Sequence, residues 1–564
     1  MKLNKILSFI LALALLLSFP LISVEAAMPQ FQGGMINVDG IMYRTSHDGT
    51  ATLSKGNFMR KGEVIIPAEV NGYVVTSIGD YSFQNCNEIT GIVIPASVTH
   101  IGYSAFYGCE KLESVTIPDS IEEIEYAAFY GCKSLKTAKI ADMVAWCAAK
   151  LDGPYANPAH ITGKLDFGAP TKELVIPSYI ESVGAYTFYG CKDINSIQIS
   201  EGITKIGECA FYGCENLTEI TVPQSVIKIE DGAFSDCDKL SVIGVSPNNT
   251  NYKNLAGALI EVNTKTLIKG FNNTQLPSDG SIERISAYAF SGCDNLVTIT
   301  LPDCISYIGV SAFKDCTKLT SITLPKNLTS INSGVFSGCE QLKSITLPEG
   351  LLNIGSNAFR YCKSLTSITL TEKITEIGDF AFADCTNLTK LEMPGSITKL
   401  GNGVVAGSTS ITTLTVKEGS SYYSFNNCII KRGTVLAGCK TSRIPIIDSI
   451  FKIAPYTFMG QTALTQIAIP KKVTDIEVGA FDGCTALSKV YYGGDEERWN
   501  TIKTSEGNTA LTEAEKLYNN TDMPETPVFG NAGLNNVFGK NSNAWIWFTV
   551  GAVAVIFVVK HKKK

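Results

Sequence analysis

The sequence has 564 residues, of which 45% are hydrophobic and 18% are charged, and it carries a formal net charge of -6 with a pI near 5.5. This supply of apolar residues excludes a chain that is disordered by composition. The acidic balance argues against nucleic-acid binding, because nucleic-acid-binding domains are usually basic.

Residues 1–26 predict a secretory signal peptide. Two lysines precede an apolar run over residues 6–17, and Val24-Glu25-Ala26 supplies the small residues of a cleavage site before Ala27. We therefore expect the mature chain to be exported.

Residues 27–63 predict an N-terminal β cap. Two alternating runs within residues 35–45 are joined by Asp39-Gly40, a pair that is typical of a type I′ hairpin turn. A cap is expected here because the repeated coils that follow would otherwise expose a strand edge and an apolar cross-section.

A 23-residue period organises residues 64–490. A phenylalanine marks each copy, and the step between neighbours within each group of copies is always 23 residues. Val405 keeps this phase where the pattern decays. A fixed period of this length predicts a solenoid, in which each copy forms one coil of a stack. The marker residues are Phe83, Phe106, Phe129, Phe188, Phe211, Phe234, Phe290, Phe313, Phe336, Phe359, Phe382, Phe458 and Phe481.

Each copy predicts a short strand, a turn and a return. In the copy that starts at Cys293, the inward residues Leu296, Ile299 and Leu301 nearly alternate, which favours a strand. Because the copies stack at a fixed period, neighbouring strands are expected to be parallel. Pro302 then ends the strand, since proline cannot continue a central strand.

Written out, the repeat is L-x-x-I-x-I/L-P-x-x-h-x-x-I-G-x-x-A-F-x-x-C, where h is an apolar residue. This pattern resembles the BspA-like leucine-rich repeat family, also called the Treponema-type family, over about residues 65–518. The resemblance implies an α/β solenoid: a right-handed superhelix with a parallel β-sheet on its concave face and short helical or 3-10 returns. It also implies a bacterial or protist surface, where characterised relatives bind host matrix proteins or mediate adhesion.

Three irregular insertions interrupt the period, at about residues 133–187, 238–289 and 409–457. Each gap equals two periods plus a few residues, so we expect one irregular coil with a protruding loop rather than a new domain. In the first, residues 143–151 predict a short helix whose Trp146 covers the core. The other two contain similar alternating segments, which predict small hairpins.

Seventeen cysteines occur, and twelve share the position three residues after the repeat phenylalanine. Copies in a stack lie about 5 Å apart, where cysteine packs as a small buried hydrophobe. That separation also permits disulfides. Free thiols are favoured, because consecutive bridges would need paired rather than uniform geometry. No C-x-x-C pair occurs, so a zinc site is not expected.

Four segments follow the solenoid. Residues 491–518 predict a closing coil with a helix around Trp499, and the Asn-, Gly- and Pro-rich residues 519–543 predict a flexible stalk. The uncharged run 544–559 predicts a transmembrane anchor, with the basic tail 560–564 facing the cytoplasm. Because 16 residues fall short of the roughly 20 that a spanning helix needs, a buried core helix is the alternative.

Residues 523–527, Met-Pro-Glu-Thr-Pro, resemble the Leu-Pro-x-Thr-Gly signal for sortase attachment to a bacterial cell wall. The glycine that follows the sortase cleavage point is missing from this segment. Simple membrane anchoring at the cell surface is therefore favoured over cell-wall attachment.

No catalytic site, cofactor or metal is expected. The four histidines are His47, His100, His160 and His561, and none lies in a motif of known catalytic mechanism. The nearest approach to a catalytic pair is His160 with Asp166, for which we expect a solvated loop histidine. A non-catalytic protein is therefore favoured over an enzyme.

Two outward-facing rows of side chains are candidate binding surfaces. In the strand row, small hydroxyl residues recur on successive coils, a pattern that solubility and β propensity also explain. In the tyrosine row, a tyrosine directly follows the repeat phenylalanine in the N-terminal half. An apolar ring with a polar tip suits a partner surface, and packing on neighbouring returns is the alternative. The candidate residues are Tyr107, Tyr130, Tyr189, Tyr212, Thr300, Thr323, Thr346, Thr369 and Glu392.

The sequence therefore predicts a surface-anchored, non-catalytic binding protein of adhesin type. Its monomeric ectodomain would present an extended solenoid to proteins or glycans of a host or a neighbouring cell. A long repetitive face suits multivalent attachment better than a small-molecule pocket does. The alternative is a structural cell-envelope protein without a specific ligand.

Overall fold

A computed structural model describes residues 33–56, 60–168, 172–522, 547–550 and 553–556 of the protein. The fold is a parallel β-solenoid of about 20 turns with little helix, which confirms the predicted stack of coils. The predicted signal peptide, the sortase-like motif at 523–527 and the basic tail lie outside the described residues.

Many coils contribute a strand to a first set of parallel pairings, which we call the long ladder. Its strands bury alternate aliphatic side chains, as in Ser114–Ile117, where Val115 and Ile117 are buried. Strands pair one period apart, so that Ser114 lies opposite Thr137. The strands are Gly62–Ile65, Ile89–Val93, Ser114–Ile117, Thr137–Ile140, Glu173–Ile176, Ser196–Ile199, Glu219–Val222, Gly244–Val245, Thr298–Thr300, Ser321–Thr323, Lys390–Met393, Thr413–Val416, Gln466–Ile469, Lys489–Tyr492 and Glu515–Leu517.

A second set of parallel pairings, the short ladder, follows the turn and takes mostly two residues from each coil. Its isoleucines are buried, and the glycine after them lets the coils approach closely: a Cβ on Gly309 would lie 2.3 Å from the backbone nitrogen of Ala287. The strands are Tyr73–Ile78, His100–Ile101, Glu123–Ile124, Lys150–Leu151, Ser182–Val183, Lys205–Ile206, Lys228–Ile229, Arg284–Ile285, Tyr307–Ile308, Ser330–Ile331, Asn353–Ile354, Glu376–Ile377, Lys399–Leu400, Lys452–Ile453, Asp475–Ile476 and Lys503–Thr504.

The regular returns consist of tight turns rather than helix. The N–H of Phe106 donates to the carbonyl of Ala128 in the next coil at 2.8 Å, whereas the N–H of Cys109 donates back to Phe106 at 3.2 Å. Two left-handed residues recur in each regular return, as at Ser104 (φ 52°) and Gly108 (φ 69°), and they interrupt any helical run. The backbone donors of a return are therefore divided between its own turns and the neighbouring coil.

Phenylalanine rings and cysteine thiols fill the core along the stack. Ring centroids of Phe290 and Phe313 lie 4.9 Å apart, and both rings are fully buried. The thiol of Cys339 donates to the carbonyl of Phe313 at 3.2 Å, and the same bond recurs along the stack. All seventeen cysteines lie in the described ranges and are free thiols. Where regular coils follow one another, the cysteine ladder thus hydrogen-bonds a coil to the one before it.

The insertions are small elements that pack on the stack. The first contains a helix with fully buried Trp146, whose Nε1 donates to the carbonyl of Thr187 at 2.8 Å, as the predicted core cover requires. The second and third are antiparallel three-stranded meanders, which confirms the predicted hairpins. The first insertion comprises Met143–Ala148, the 3-10 turn Pro154–Ala156 and Ala159–Thr162; the meanders comprise Tyr252–Leu255, Ala258–Glu261 and Thr266–Lys269, then Tyr423–Phe425, Cys428–Lys431 and Thr434–Ala437.

The N-terminal end is an antiparallel meander joined to the short ladder. The predicted hairpin is present, with both turn residues left-handed at Asp39 (φ 51°) and Gly40 (φ 81°). The last strand of the meander pairs in parallel with Tyr73–Ile78, so the short ladder continues into it. The strands at this end are Gly34–Val38, Ile41–Thr45, Thr50–Lys55 and Glu69–Val70.

At the other end, the helices Glu496–Trp499 and Thr509–Glu513 lie beside the last coils, and Trp499 packs edge-on against Tyr492 at 5.1 Å. Within the apolar run 544–559, the described pieces are two antiparallel strands, Trp547–Val550 and Val553–Ile556. In the part of the chain that the structure describes, no helix is both long enough and apolar enough to cross a membrane.

Candidate interaction surfaces

The four predicted tyrosines belong to a longer row of rings, which we call the aromatic strip. Two residues of the first insertion, Tyr155 and His160, fill the gap between the predicted pairs, and Tyr288 extends the row after the second insertion. Along Tyr107, Tyr130, Tyr155, His160, Tyr189, Tyr212 and Tyr288, successive ring centroids lie 5.4, 4.7, 4.8, 5.7, 4.9 and 6.3 Å apart. The strip therefore crosses the first insertion without a break.

The first insertion places its rings in register with the stack because its backbone continues the return pairing. The carbonyl of Tyr155 accepts from the N–H of Phe129 at 3.1 Å, as a residue of a regular coil would. Buried Asn157 ties the segment to the following coil: its Nδ2 donates to the carbonyls of Tyr186 at 2.7 Å and Thr187 at 3.0 Å. These bonds fix the short helix that carries His160.

The strip is open at one end and closed at the other. Tyr130 is 44% exposed, whereas Tyr189 and Tyr212 are only partly exposed. Burial raises the pKa of Tyr189, and burial with a hydrogen bond to the Asp236 carboxylate raises the pKa of Tyr212 further. The predicted packing alternative therefore describes the C-terminal end of the strip better than its N-terminal end.

A second row of tyrosines, the outer row, runs beside the open end of the strip. It comprises Tyr81, Tyr103 and Tyr126, which are 50%, 38% and 40% exposed. Their successive ring centroids lie 5.4 and 5.9 Å apart, and Tyr126 meets Tyr155 of the strip at 6.0 Å. The two rows converge at Tyr155, so the N-terminal coils carry a patch of partly exposed rings rather than a single row.

In the stacked pairs of the strip, each ring covers one face of its neighbour. Tyr107 and Tyr130 stack with an interplanar angle of 27°, and Tyr189 and Tyr212 with one of 3°. A ring that is stacked on its neighbour has that face occupied, and its hydroxyl remains a donor and an acceptor. The patch therefore suits an irregular surface with apolar and hydrogen-bonding groups better than a ligand that must stack flat on each ring.

The strand row is chemically plainer. Thr300 lies opposite Thr323 in the long ladder, whereas Thr346 and Thr369 lie in coils without a strand at this position. All four threonines are exposed, and Glu392 forms an ion pair with Lys390 at 3.3 Å. This row offers hydroxyls and one paired carboxylate but none of the aromatic anchors that usually dominate binding energy.

His160 is exposed but lies on the short helix Ala159–Thr162 rather than in the predicted loop, and its ring packs between Tyr155 and Tyr189 of the strip. Partial burial and the Lys192 ammonium lower its pKa, so the ring is neutral at pH 7. Asp166 instead accepts a hydrogen bond from the N–H of Gly168 at 2.9 Å. Within the described ranges, no group of three or more His, Cys, Asp or Glu side chains is arranged to hold a metal ion.

Sequence reasoning identified four rings of the strip but missed Tyr155, His160, Tyr288 and the outer row. The only available signal was the abundance of tyrosine near the repeat phenylalanine in the N-terminal half, as in Tyr103 and Tyr126. Nothing in the spacing placed the insertion residues in the row, because the length of the insertion is not a multiple of the period.

The family model described as "BspA type Leucine rich repeat region (6 copies)" matches the chain at residues 73–147, 168–267, 260–351, 306–431 and 430–505. A leucine rich cell surface protein from Faecalibacterium prausnitzii is 24% identical; the match covers 84% of this chain and 99% of that one, with a TM-score of 0.40. A leucine-rich repeat protein from Bacteroides ovatus is 23% identical, with coverages of 86% and 99% and a TM-score of 0.33. The pneumococcal vaccine antigen PcpA is 17% identical, with coverages of 86% and 98% and a TM-score of 0.30. None of the curated proteins matches the chain.

Proposed function

The chain belongs to the BspA-type leucine-rich repeat family, and from this premise we propose that it is a non-catalytic binding protein of adhesin type. In this proposal the solenoid stands at the cell surface and binds a protein of a host or a neighbouring cell. Residues 1–26 direct export, residues 519–543 act as a stalk, and residues 544–559 anchor the chain in the membrane.

The patch formed by the strip and the outer row supports this proposal. Tyrosines are enriched in protein interfaces, because each buries a large rigid ring at low entropic cost and keeps a polar tip. Four rings at the open end, those of Tyr81, Tyr103, Tyr126 and Tyr130, are between 38% and 50% exposed. Such a cluster gives a partner several anchors within one continuous surface, whereas the strand row gives it none.

A protein partner is favoured over a neutral glycan. Sugar rings would need free ring faces, and the faces of Tyr107 and Tyr130 that meet are already occupied by stacking. Protein surfaces can instead use the ring edges and hydroxyls through irregular apolar contacts and hydrogen bonds.

The test is binding of the full-length chain to an array of purified extracellular-matrix proteins and mucin. The variant combines Tyr103→Ser with Tyr126→Ser, which removes two exposed rings and leaves the buried core untouched. We expect at least one ligand to bind, and the variant to lose about tenfold or more in affinity, because aromatic anchors usually carry much of the binding energy.

Two matched controls separate the patch from the rest of the surface. Tyr179→Ser removes a 73% exposed ring outside the patch, and Thr323→Ala alters the strand row. Both should bind as the unmodified chain does, and all variants should keep its melting temperature. An array without any bound protein, or equal binding by the double variant, would contradict the proposal and favour the structural envelope alternative.

A further inference from the structure

The third insertion forms a cleft with the stack at the opposite end of the solenoid from the aromatic patch. The cleft has a volume of about 390 Å³ and lies between the turn of the meander and the neighbouring short-ladder strands. Its walls include Lys431, Arg432, Lys452 and Glu477, with Asn402 and Pro455 beside them. This volume falls at the lower end of the range that is usual for small-ligand sites.

The cleft is positively charged although the protein is acidic. Lys452 pairs with Glu477 at 2.8 Å, which neutralises both groups. The Lys431 Nζ lies 3.9 Å from the ring centroid of Tyr422 and donates to the carbonyl of Thr398 at 3.2 Å, but no carboxylate pairs with it among the described residues. Two uncompensated cations therefore remain, and both Lys431 and Arg432 border the cleft.

The Arg432 guanidinium has no hydrogen-bond or ion-pair partner within the described part of the chain. Its backbone is left-handed, with φ 47°, and it is followed by Gly433 with φ 75°, as in a type I′ turn. Asn, Asp or Gly usually holds the first of these positions, because a longer side chain gains nothing there to offset its backbone cost. In the preceding turn of the same meander, Asn426 does so with φ 45°.

The turn is packed against the stack, so the backbone position of Arg432 is fixed. A Cβ on Gly433 would lie 2.2 Å from the carbonyl oxygen of Ser449 and 2.5 Å from the ring of Phe451. The N–H of Phe451 also donates to the carbonyl of Gly433 at 3.0 Å. A turn packed in this way places an exposed, unpaired guanidinium at the edge of the cleft, where it can pair with an anionic group.

The second insertion provides an internal comparison. Its meander has the same strand arrangement, but Glu261 stands where the third meander has Lys431, and Val262 follows it. The lysine of its turn, Lys265, is paired with Glu283 at 2.5 Å. The uncompensated charge is therefore a property of the third insertion and not of the meander itself.

We propose that this cleft binds a sugar acid, the carboxylate-bearing unit of an acidic glycan. The carboxylate pairs with the guanidinium of Arg432, which can donate two parallel hydrogen bonds to it. The sugar hydroxyls donate to the Glu477 carboxylate and accept from the Asn402 amide, and Pro455 packs against the C–H face of the ring. This site is independent of the aromatic patch and of the protein partner proposed for it.

Other anions fit the lining less well. A phosphate group has few hydroxyls that could donate to Glu477, and it has no C–H face that could pack against Pro455. An acidic peptide would need a longer row of cations, whereas the cleft offers only Lys431 and Arg432, and its third cation, Lys452, is paired with Glu477. The mixture of two unpaired cations, one carboxylate, one amide and an apolar wall matches a ring that carries both a charge and hydroxyls.

The test is titration of the full-length chain with 3′-sialyllactose and with digalacturonic acid, followed by calorimetry. The two probes represent the two common sources of a sugar carboxylate, and lactose is the neutral control. We expect at least one acidic probe to bind, lactose not to bind, and the affinity to fall as salt is added. Arg432→Asn should weaken binding about tenfold or more, since a charge-assisted bidentate pair is lost.

Arg432→Asn is suited to this test because asparagine tolerates the left-handed backbone, so the turn should be kept and the melting temperature unchanged. Lys265→Gln, in the second meander, is the matched control and should bind as the unmodified chain does. Tyr103→Ser with Tyr126→Ser should also leave sugar binding intact, which separates this site from the proposed protein-binding patch.

The proposal is overturned if neither acidic probe binds, if lactose binds equally well, or if Arg432→Asn binds unchanged. It is also overturned if inorganic phosphate or triglutamate binds more tightly than both sugar acids, because the cleft would then take a different class of anion.

Discussion

The second and third insertions build the same frame and end in different turns. In both, the middle strand is buried over three residues, and the register shifts before the third of them, at Ile260 and at Ile430. In both, a tyrosine hydroxyl accepts a hydrogen bond from a short-ladder N–H: Tyr252 from Ile229 at 2.7 Å and Tyr422 from Leu400 at 3.1 Å.

The turns differ because they are exposed and the frame is not. The frame replaces part of a coil and must bury apolar side chains at the spacing of the stack, so its residues are interchangeable only with similar ones. Glu261 and Lys431 can differ in charge because each lies at the end of the middle strand and is partly exposed. The comparison thus separates the buried frame residues, which the solenoid requires, from the turn residues, which can contact a ligand.

The largest loss of stability is expected for substitutions in the buried middle strands, which are alike in the two insertions. Ile260→Ala and Ile430→Ala each remove a fully buried side chain from a hydrophobic cluster. We expect each to lower the free energy of unfolding by about 2–5 kcal/mol, since the cavity adds to the lost transfer energy. Urea unfolding of the two variants under the same conditions measures both losses.

Because a solenoid can unfold locally, hydrogen exchange should localise each loss to its own insertion and the adjacent coils. Loss of protection at both insertions in either single variant, or a loss in only one of the two variants, would contradict the idea of equivalent frames.

A smaller loss of stability, different in the two insertions, is expected when the hydroxyl of Tyr252 or Tyr422 is removed. Tyr252→Phe and Tyr422→Phe each remove one acceptor and leave a strand N–H without it, at a cost of about 1–3 kcal/mol. The loss should be greater for Tyr252, whose hydroxyl is closer to its N–H donor and whose side chain is only 1% exposed. Thermal unfolding of the two variants gives the order, and a greater loss for Tyr422→Phe would refute it.

The stack was predictable from sequence because its core repeats. Each coil places Phe313 or its equivalent against its copy, so one period fixes strand, turn and packing together. The short ladder was not predicted, because two residues per coil, as in Tyr307–Ile308, are too few to produce an alternating pattern. Its signal was the Ile-Gly pair, in which the glycine marks a close approach of backbones.

The candidate sites were predictable only where they follow the period. Tyr107 and Tyr130 stand at one repeat position, but Tyr155 and His160 reach the same row through an insertion, and only the folded chain brings them there. Arg432 was overlooked although the two meanders have similar sequences. An alignment of the two meanders would have revealed that Lys431 replaces Glu261. The lack of a partner for Arg432, however, depends on tertiary contacts.

The smallest change in stability is expected for substitutions in the coils that directly precede the two insertions. Just before the second, the thiol of Cys237 donates to the carbonyl of Phe211 at 3.2 Å; just before the third, the hydroxyl of Ser408 donates to Phe382 at 2.7 Å. Burial raises the pKa of Cys237 to about 12, so the thiol keeps its proton at pH 7 and can donate. The Cys237 thiol and the Ser408 hydroxyl therefore make the same hydrogen bond between coils at equivalent positions.

Cys237→Ser should consequently change the free energy of unfolding by less than about 1 kcal/mol, whereas Cys237→Ala should lower it by about 1 kcal/mol, because the carbonyl of Phe211 loses its donor. Ser408→Ala should cost more than Cys237→Ala, since the Ser408 hydroxyl also accepts from the N–H of Cys385 at 2.9 Å. Urea unfolding orders the three variants. If serine were no better than alanine at position 237, the cysteine would act there as a small apolar filler, and the hydrogen bond between coils would contribute nothing to its selection.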